Sequence, residues 1–237
     1  MRLTVIWASN NSMAAIKPSI SYAWLIILLG LCLLLAACGA TETEPDACDA
    51  PGILFFDDFN GEFDCGWAVF SRPGGAAALE NAAMRLTVSQ PGQMWWSNPG
   101  REFGDVVISA EARQVDGSND NAYGLICRYQ NEENFYVFLV SGDGYYTIAK
   151  YQSGTENVIY LTEGGQFQPS DVINIGVASN ELRATCAGPQ LSLEVNGVPL
   201  VSVTDPTFVT GDIGVAAGTL AGGNTVIEFD NVQVIAP

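Results

Sequence analysis

The chain has 237 residues, with 26 acidic side chains against 9 basic ones and a formal net charge of −17. A surface this acidic repels nucleic acid and anionic lipid headgroups and argues against both as partners. No histidine occurs, which excludes Ser-His-Asp and Cys-His catalysis and every His-ligated zinc or iron site.

In chain order, the first feature is a targeting segment. Arg2 and Lys17 are the only basic residues before an apolar run, Ala23–Ala37, and no acid precedes Glu42. The run is shorter than the ~20 apolar residues of a spanning helix. It ends in small residues, as the apolar core of a secretory signal does. Leu35-Ala36-Ala37-Cys38 has the form of a bacterial lipobox, in which the cysteine thiol receives a diacylglyceryl group and the chain is cut just before it. Residues 1–37 are therefore expected to be a removable lipoprotein signal peptide, and Cys38 a lipidated N-terminus on the extracytoplasmic face of a bacterial membrane. Residues 38–52 then form the lipidated cysteine and its polar tether, and residues 53–237 the folded domain.

Six cysteines occur. Cys32 leaves with the signal and Cys38 takes the lipid, so Cys48, Cys65, Cys127 and Cys186 remain, an even number in an oxidising compartment. Three pairings are open. Cys48–Cys65, closing a short loop, with Cys127–Cys186, joining two strand-like segments, is the favoured one. Zinc is the weaker reading, because no Cys-x-x-Cys spacing exists.

Beyond the tether no stretch holds an apolar 3.6-residue period. Val107–Arg113 alternates instead, with Ile108, Ala110 and Ala112 on one face and Ser109, Glu111 and Arg113 on the other. Strands are also expected at 84–88, 93–97, 123–129, 135–140, 145–151, 158–161, 172–178, 182–186, 191–195, 198–203, 213–217 and 226–234. These segments are rich in Val, Ile, Tyr and Phe. Asp143-Gly144 and Asn196-Gly197 are two-residue hairpin signals, and Gly188-Pro189 and Asn131–Asn134 mark further turns. This many short strands implies an all-β antiparallel sandwich or barrel.

Gly124–Gln130, Asn134–Phe138, Gly144–Lys150, Leu191–Gly197 and Ile227–Val234 together resemble the concanavalin A-like lectin/glucanase superfamily. More narrowly they resemble bacterial modules of the domain-of-unknown-function type labelled keto-disaccharide hydrolase-like. The resemblance covers about residues 53–235 and implies a two-sheet jelly roll with a concave, ligand-receiving face. It specifies fold better than activity.

Retaining glycanases of that superfamily carry Glu-x-Asp-x-x-Glu on one strand, giving carboxylates ~5 Å apart. Here Glu62-Phe63-Asp64 is followed by Trp67, and Glu228-Phe229-Asp230 by Gln233, so neither completes the pair. A non-catalytic binding face is the better expectation. Trp95, Trp96, Arg128, Tyr136, Tyr146 and Lys150 are its candidates as a cluster, with rings to stack on sugars and cations to hold hydroxyls or carboxylates; each taken alone reads more readily as an ordinary half-buried strand residue. Of the pair Trp95-Trp96, one must face away from the core. Asp57, Asp58 and Asp230 would suit a structural calcium if the first and last strands pair; no other cofactor is expected. Gly211–Gly218 lacks the lysine of a phosphate loop, and Asn134 and Asn180 read as turn residues. The expected partners are a glycan or envelope polysaccharide and, through the lipid, the membrane. A glycoside-acting hydrolase and a structural protein-interaction module of the envelope are the alternatives.

Overall fold

The computed structural model describes residues 48–49, 51–61, 63–155, 158–220 and 223–237. The signal segment, the lipobox with Cys38, most of the tether and Glu62 lie outside the described residues. Residues Pro45–Pro237 cluster as one compact unit. Among the described residues every long element is a strand, and the strands form two antiparallel sheets.

The first sheet contains β1 (Phe55–Asp57), β2 (Phe70–Arg72), β3 (Gly75–Leu79), β4 (Met84–Val88), β6 (Val106–Gly117), β12 (Ser179–Ala187), β13 (Gln190–Val195), β14 (Val198–Thr204) and β16 (Thr225–Ile235). Its order is β14-β13-β12-β6-β16-β4-β3-β2, with β1 also on β16. The second sheet contains β5 (Met94–Ser97), β7 (Asn121–Asn131), β8 (Asn134–Val140), β9 (Tyr145–Tyr151), β10 (Ile159–Tyr160), β11 (Gln168–Pro169) and β15 (Asp212–Thr219). Its order is β10-β9-β8-β7-β15-β5, with β11 also on β9. The first and last strands do pair, with Asp57 opposite Val232. All-β, two-sheet, antiparallel architecture is thus what the alternating sequence dictates.

The core lies between the sheets. From the first sheet Met84, Leu86, Ile108, Leu182, Leu193, Ile227 and Phe229 point inward, and from the second Leu125, Phe138, Val140, Ile148 and Val215 meet them. Each such side chain contributes ~1.5–3 kcal/mol by leaving water. On β6 the expected parity holds: Ile108, Ala110 and Ala112 are buried. Both favoured disulfides form. Cys127–Cys186 ties β7 to β12 across the core, and Cys48–Cys65 closes the N-terminal loop. Asn196 and Gly197 take positive φ at the β13–β14 hairpin, as a two-residue turn requires.

Some elements differ from expectation. Residues 172–178 form no strand: Gly176 is in the left-handed region, Ile175 and Val177 are exposed, and the Asn180 side chain holds the segment as a loop by accepting from the Asn174 N–H. Asn180 is accordingly not a turn residue but a buried part of β12, donating to the Tyr123 hydroxyl and the Asn174 carbonyl. Strands β1, β2, β3 and β11 lie where no strand was expected; they are short, and β3 is built largely from alanine.

Candidate functional site

Strand alternation gives the second sheet two unlike faces. Inward residues join the core. The outward residues of β5, β7, β8, β9 and β15 form a separate apolar cluster built on Ala122, Ile126, Phe135, Val137, Leu139, Ala149 and Ala216. Around it lie the half-buried rings of Trp96, Tyr129, Tyr151, Tyr160 and Phe167.

Four of these rings form a continuous row across the sheet. Centroids are 6.2 Å apart for Trp96–Tyr129, 5.3 Å for Trp96–Phe135, 5.5 Å for Tyr129–Phe135 and 4.6 Å for the stacked Phe135–Tyr151 pair. Strand β15 runs between β5 and β7, yet Trp96 reaches Tyr129. It does so because the stretch of β15 between them presents the small residues Gly214 and Ala216 on that side, over which an indole can lie. From the other edge the Tyr151 hydroxyl approaches the Met94 sulfur at 3.9 Å. Burial, with a smaller contribution from nearby Tyr160, raises the Tyr151 phenol above its ordinary value.

Beside this row a recess of about 190 Å³ opens. Gly92, Gln93, Met94, Thr219 and Leu220 border one side, and Tyr151, Val158, Tyr160 and Phe167 the other. Its lining carries no charged side chain. At the far end of β15, Asp212 borders a more open cavity of about 540 Å³ together with Arg101, Glu102 and Tyr129. Burial pushes the Asp212 carboxyl up to about 6, although the N–H groups of Gly100 and Ile213 donate to it.

Of the residues expected to line a binding face, the structure places Trp96 there and puts the others elsewhere. Trp95 points to the opposite side of β5 and packs on Phe70, with ring centroids 5.5 Å apart. A Cβ on Gly75 would collide with its ring, so glycine makes its seat. Tyr146 packs against the inner core and its hydroxyl donates to the Leu200 carbonyl at 3.4 Å. Arg128, Tyr136 and Lys150 are buried inside the sandwich. The expectation that these three meet a ligand is therefore corrected: their polar tips turn to the loop after β14 and, for Arg128, also to Asp105.

That internal network is specific. Lys150 donates to the Asp205 carboxylate and to the Thr207 hydroxyl, each at 2.7 Å. The Tyr136 hydroxyl donates to Asp205 at 2.6 Å and accepts the Phe208 N–H at 3.1 Å. Burial alone would raise the Asp205 carboxyl, but donation from Lys150, Thr207 and Tyr136 outweighs it and holds the group down at about 2. Burial and the Asp205 carboxylate push the Tyr136 phenol up to about 12. Arg128, at a β-bulge with φ 53°, donates to the Phe208 carbonyl at 2.7 Å and to Asp105 at 3.0 Å.

The acids considered for calcium do not converge. Asp57 accepts the Phe59 N–H, Asp58 accepts from the Asn60 backbone and side chain, and Asp230 accepts the Asn231 N–H. Each closes its own turn, and among the described residues no cluster of three or more acidic or sulfur ligands exists. Burial raises the Asp57 carboxyl, which disfavours the charge a cation would need. Glu228, the first acid of the incomplete glycanase pattern, lies on the outer side of the first sheet, clamped by Arg85 at 2.7 Å and Arg113 at 2.6 Å.

Comparison with known proteins places this geometry on a common fold. The carbohydrate-binding module CBM66 from Bacillus subtilis superposes with a TM-score of 0.57 at 16% identity, over 72% of this chain and 96% of that one. A Bacteroides ovatus mixed-linkage-glucan GH16 superposes at 0.55 and 11%, over 77% of this chain and 100% of that one. A Bacillus licheniformis β-glucanase superposes at 0.56 and 9%, over 80% and 100%. The fold is thus the jelly-roll β-sandwich shared by such modules and glucanases. No family model matches the sequence, and no curated protein matches it either.

Proposed function

We propose that this protein is a lipid-anchored, extracytoplasmic module whose second sheet binds carbohydrate on its outer face without catalysis. The observation that carries the reading is the row Trp96–Tyr129–Phe135–Tyr151, whose last ring, Tyr151, lines an uncharged recess. Aromatic faces stack on the apolar faces of sugar rings, and a few placed polar groups fix orientation. Fold neighbours named as a carbohydrate-binding module and as glucan-acting proteins support this reading. Against catalysis stands the composition of the face. A retaining glycanase needs two carboxylates ~5 Å apart, whereas Asp212 is the one acid among the outward-facing described residues of β5, β7, β8, β9 and β15.

Anchoring rests on the sequence: residues 1–37 as a signal peptide, Cys38 as the lipidated residue, residues 38–52 as the tether and 53–237 as the sandwich. Intact-mass spectrometry of membrane-extracted protein should find a chain beginning at a diacylated Cys38; an unmodified Cys38 contradicts the anchor.

A glycan array followed by calorimetric titration tests the binding claim. Trp96→Ala and Tyr151→Ala should each weaken binding by at least about tenfold, since each loses a stacking platform. An array on which the protein binds no glycan contradicts it. A second reading, a glycoside-acting hydrolase of the keto-disaccharide hydrolase-like type, is favoured by Asp212, a carboxyl lifted to about 6 as general acids often are. Release of reducing sugar that is lost in Asp212→Asn would establish it.

A further inference from the structure

A third cavity, of about 360 Å³, opens around the edge of β5 and is lined by Phe70, Arg72, Met94, Trp95, Trp96 and Glu132. Its volume falls in the range of about 300–1,000 Å³ usual for small-molecule sites. Strand β5 ends its sheet, and its two tryptophans point to opposite sides, so the cavity wraps the edge of the strand. Met94 lines both this cavity and the outer-face recess, which makes the two neighbours across a single side chain.

The Trp95 indole N–H donates to Gln93, but the two charged groups of the edge cavity are free. Arg85, Arg101, Arg113 and Arg128 each hold a carboxylate. Arg72 holds none among the described residues; it is exposed, with its guanidinium 5.6 Å from the Phe70 ring centre. Glu132 is likewise exposed and accepts no hydrogen bond among the described residues. A donor fork and a carboxylate acceptor therefore flank aromatic walls with their hydrogen-bonding capacity free. Their charges cancel locally, and the recess next door has none. An anionic ligand would meet Glu132 within a chain of net charge −17, and a cationic one would meet Arg72. An uncharged polyhydroxyl ligand satisfies both groups.

From this geometry we infer that the edge cavity is a second subsite, so that the ligand is a neutral oligosaccharide chain passing from the recess over Met94 to the β5 edge. A single terminal sugar or a uronate-rich, sulfated or sialylated glycan does not fit. This inference rests on the carbohydrate reading above. Linking two weak subsites through one chain raises affinity steeply once the chain spans both.

The test is a calorimetric titration of the full-length chain in detergent with cello-, laminari-, xylo-, manno- and fructo-oligosaccharides, from monosaccharide to hexasaccharide, with polygalacturonate as the anionic probe. At least one neutral series should gain about tenfold or more in affinity with length, and Arg72→Ala and Phe70→Ala should abolish that gain while short oligomers keep their affinity within roughly twofold. Arg72 is exposed, so its variant leaves the fold intact even if Phe70→Ala does not. Affinity independent of length, a gain that survives Arg72→Ala, or preference for polygalacturonate overturns the second subsite. Absence of binding to every probe overturns the carbohydrate reading itself, and the subsite with it.

Discussion

The two faces of the second sheet are made by the same strands and differ in kind. On β8 the inward Tyr136 spends its hydroxyl on Asp205 and Phe208, while its outward neighbour Phe135 stacks on Tyr151. On β9 the inward Lys150 is neutralised by Asp205, while the outward Tyr151 reaches Met94. On the inner face the tips of Tyr136, Lys150 and the Arg128 fork meet acceptors within the protein, although the buried Arg128 Nε finds none, so this face holds the fold and presents no open group to a ligand. The outer face is aromatic, with the half-buried rings of Trp96, Tyr129 and Tyr151 around a buried Phe135, and is bordered by cavities. A polar tip on a strand residue is therefore no guide to a binding surface; what counts is whether that tip is already satisfied.

Substitutions that attack one face should leave the other readable. Lys150→Ala strands a buried carboxylate and should cost about 3–5 kcal/mol in urea unfolding, with glycan affinity unchanged in the folded fraction. Removing the Cys127–Cys186 bridge, whose partners are 59 residues apart, should cost more than removing Cys48–Cys65, 17 apart; losses of about 2–4 kcal/mol are usual for such bridges. Tyr136→Phe leaves the buried Phe208 N–H without its acceptor and should cost about 1–3 kcal/mol. The pH response separates two acids. Asp205 is held at about 2 when folded against an ordinary 3.8, so its contribution is complete above that ordinary value and is lost as pH falls toward 2. Lys150→Ala should flatten this acid limb. Asp212 is shifted oppositely, to about 6, so its neutral form favours the fold and stability declines as pH rises from about 4 to about 6. Asp212→Asn should remove that decline, at the cost of one of the two acceptors that now serve the Gly100 and Ile213 N–H groups.

Much of the fold was legible because alternation and turn chemistry are local. The parity of Ile108, Ala110 and Ala112 and the opposed faces of Trp95 and Trp96 follow from the period of a strand, and the Asn196-Gly197 hairpin from its turn residues; Asp143-Gly144 marks the β8–β9 turn, which is longer than the two residues expected. The site was legible at Trp96 and, in the edge cavity, at Trp95. Arg128, Tyr136 and Lys150 were placed outward because their tips are polar, and the acceptors that draw them inward belong to residues 205–208, some 55 to 80 positions later. Tyr129, Phe135, Tyr151, Tyr160 and Phe167 went unmarked, since an aromatic in a strand reads equally as core. One signal was present: Gly214, Ala216 and Gly218 leave a small-residue stripe on β15, over which large rings from flanking strands can close.

The most direct test of the central claim is a paired titration with whichever neutral glycan the array identifies, comparing Trp96→Ala with Tyr136→Phe. Loss of about tenfold or more in affinity for Trp96→Ala, with Tyr136→Phe binding like the parent protein despite its lower stability, is the predicted result. Full affinity in Trp96→Ala, or a loss confined to Tyr136→Phe, would contradict an outer-face site.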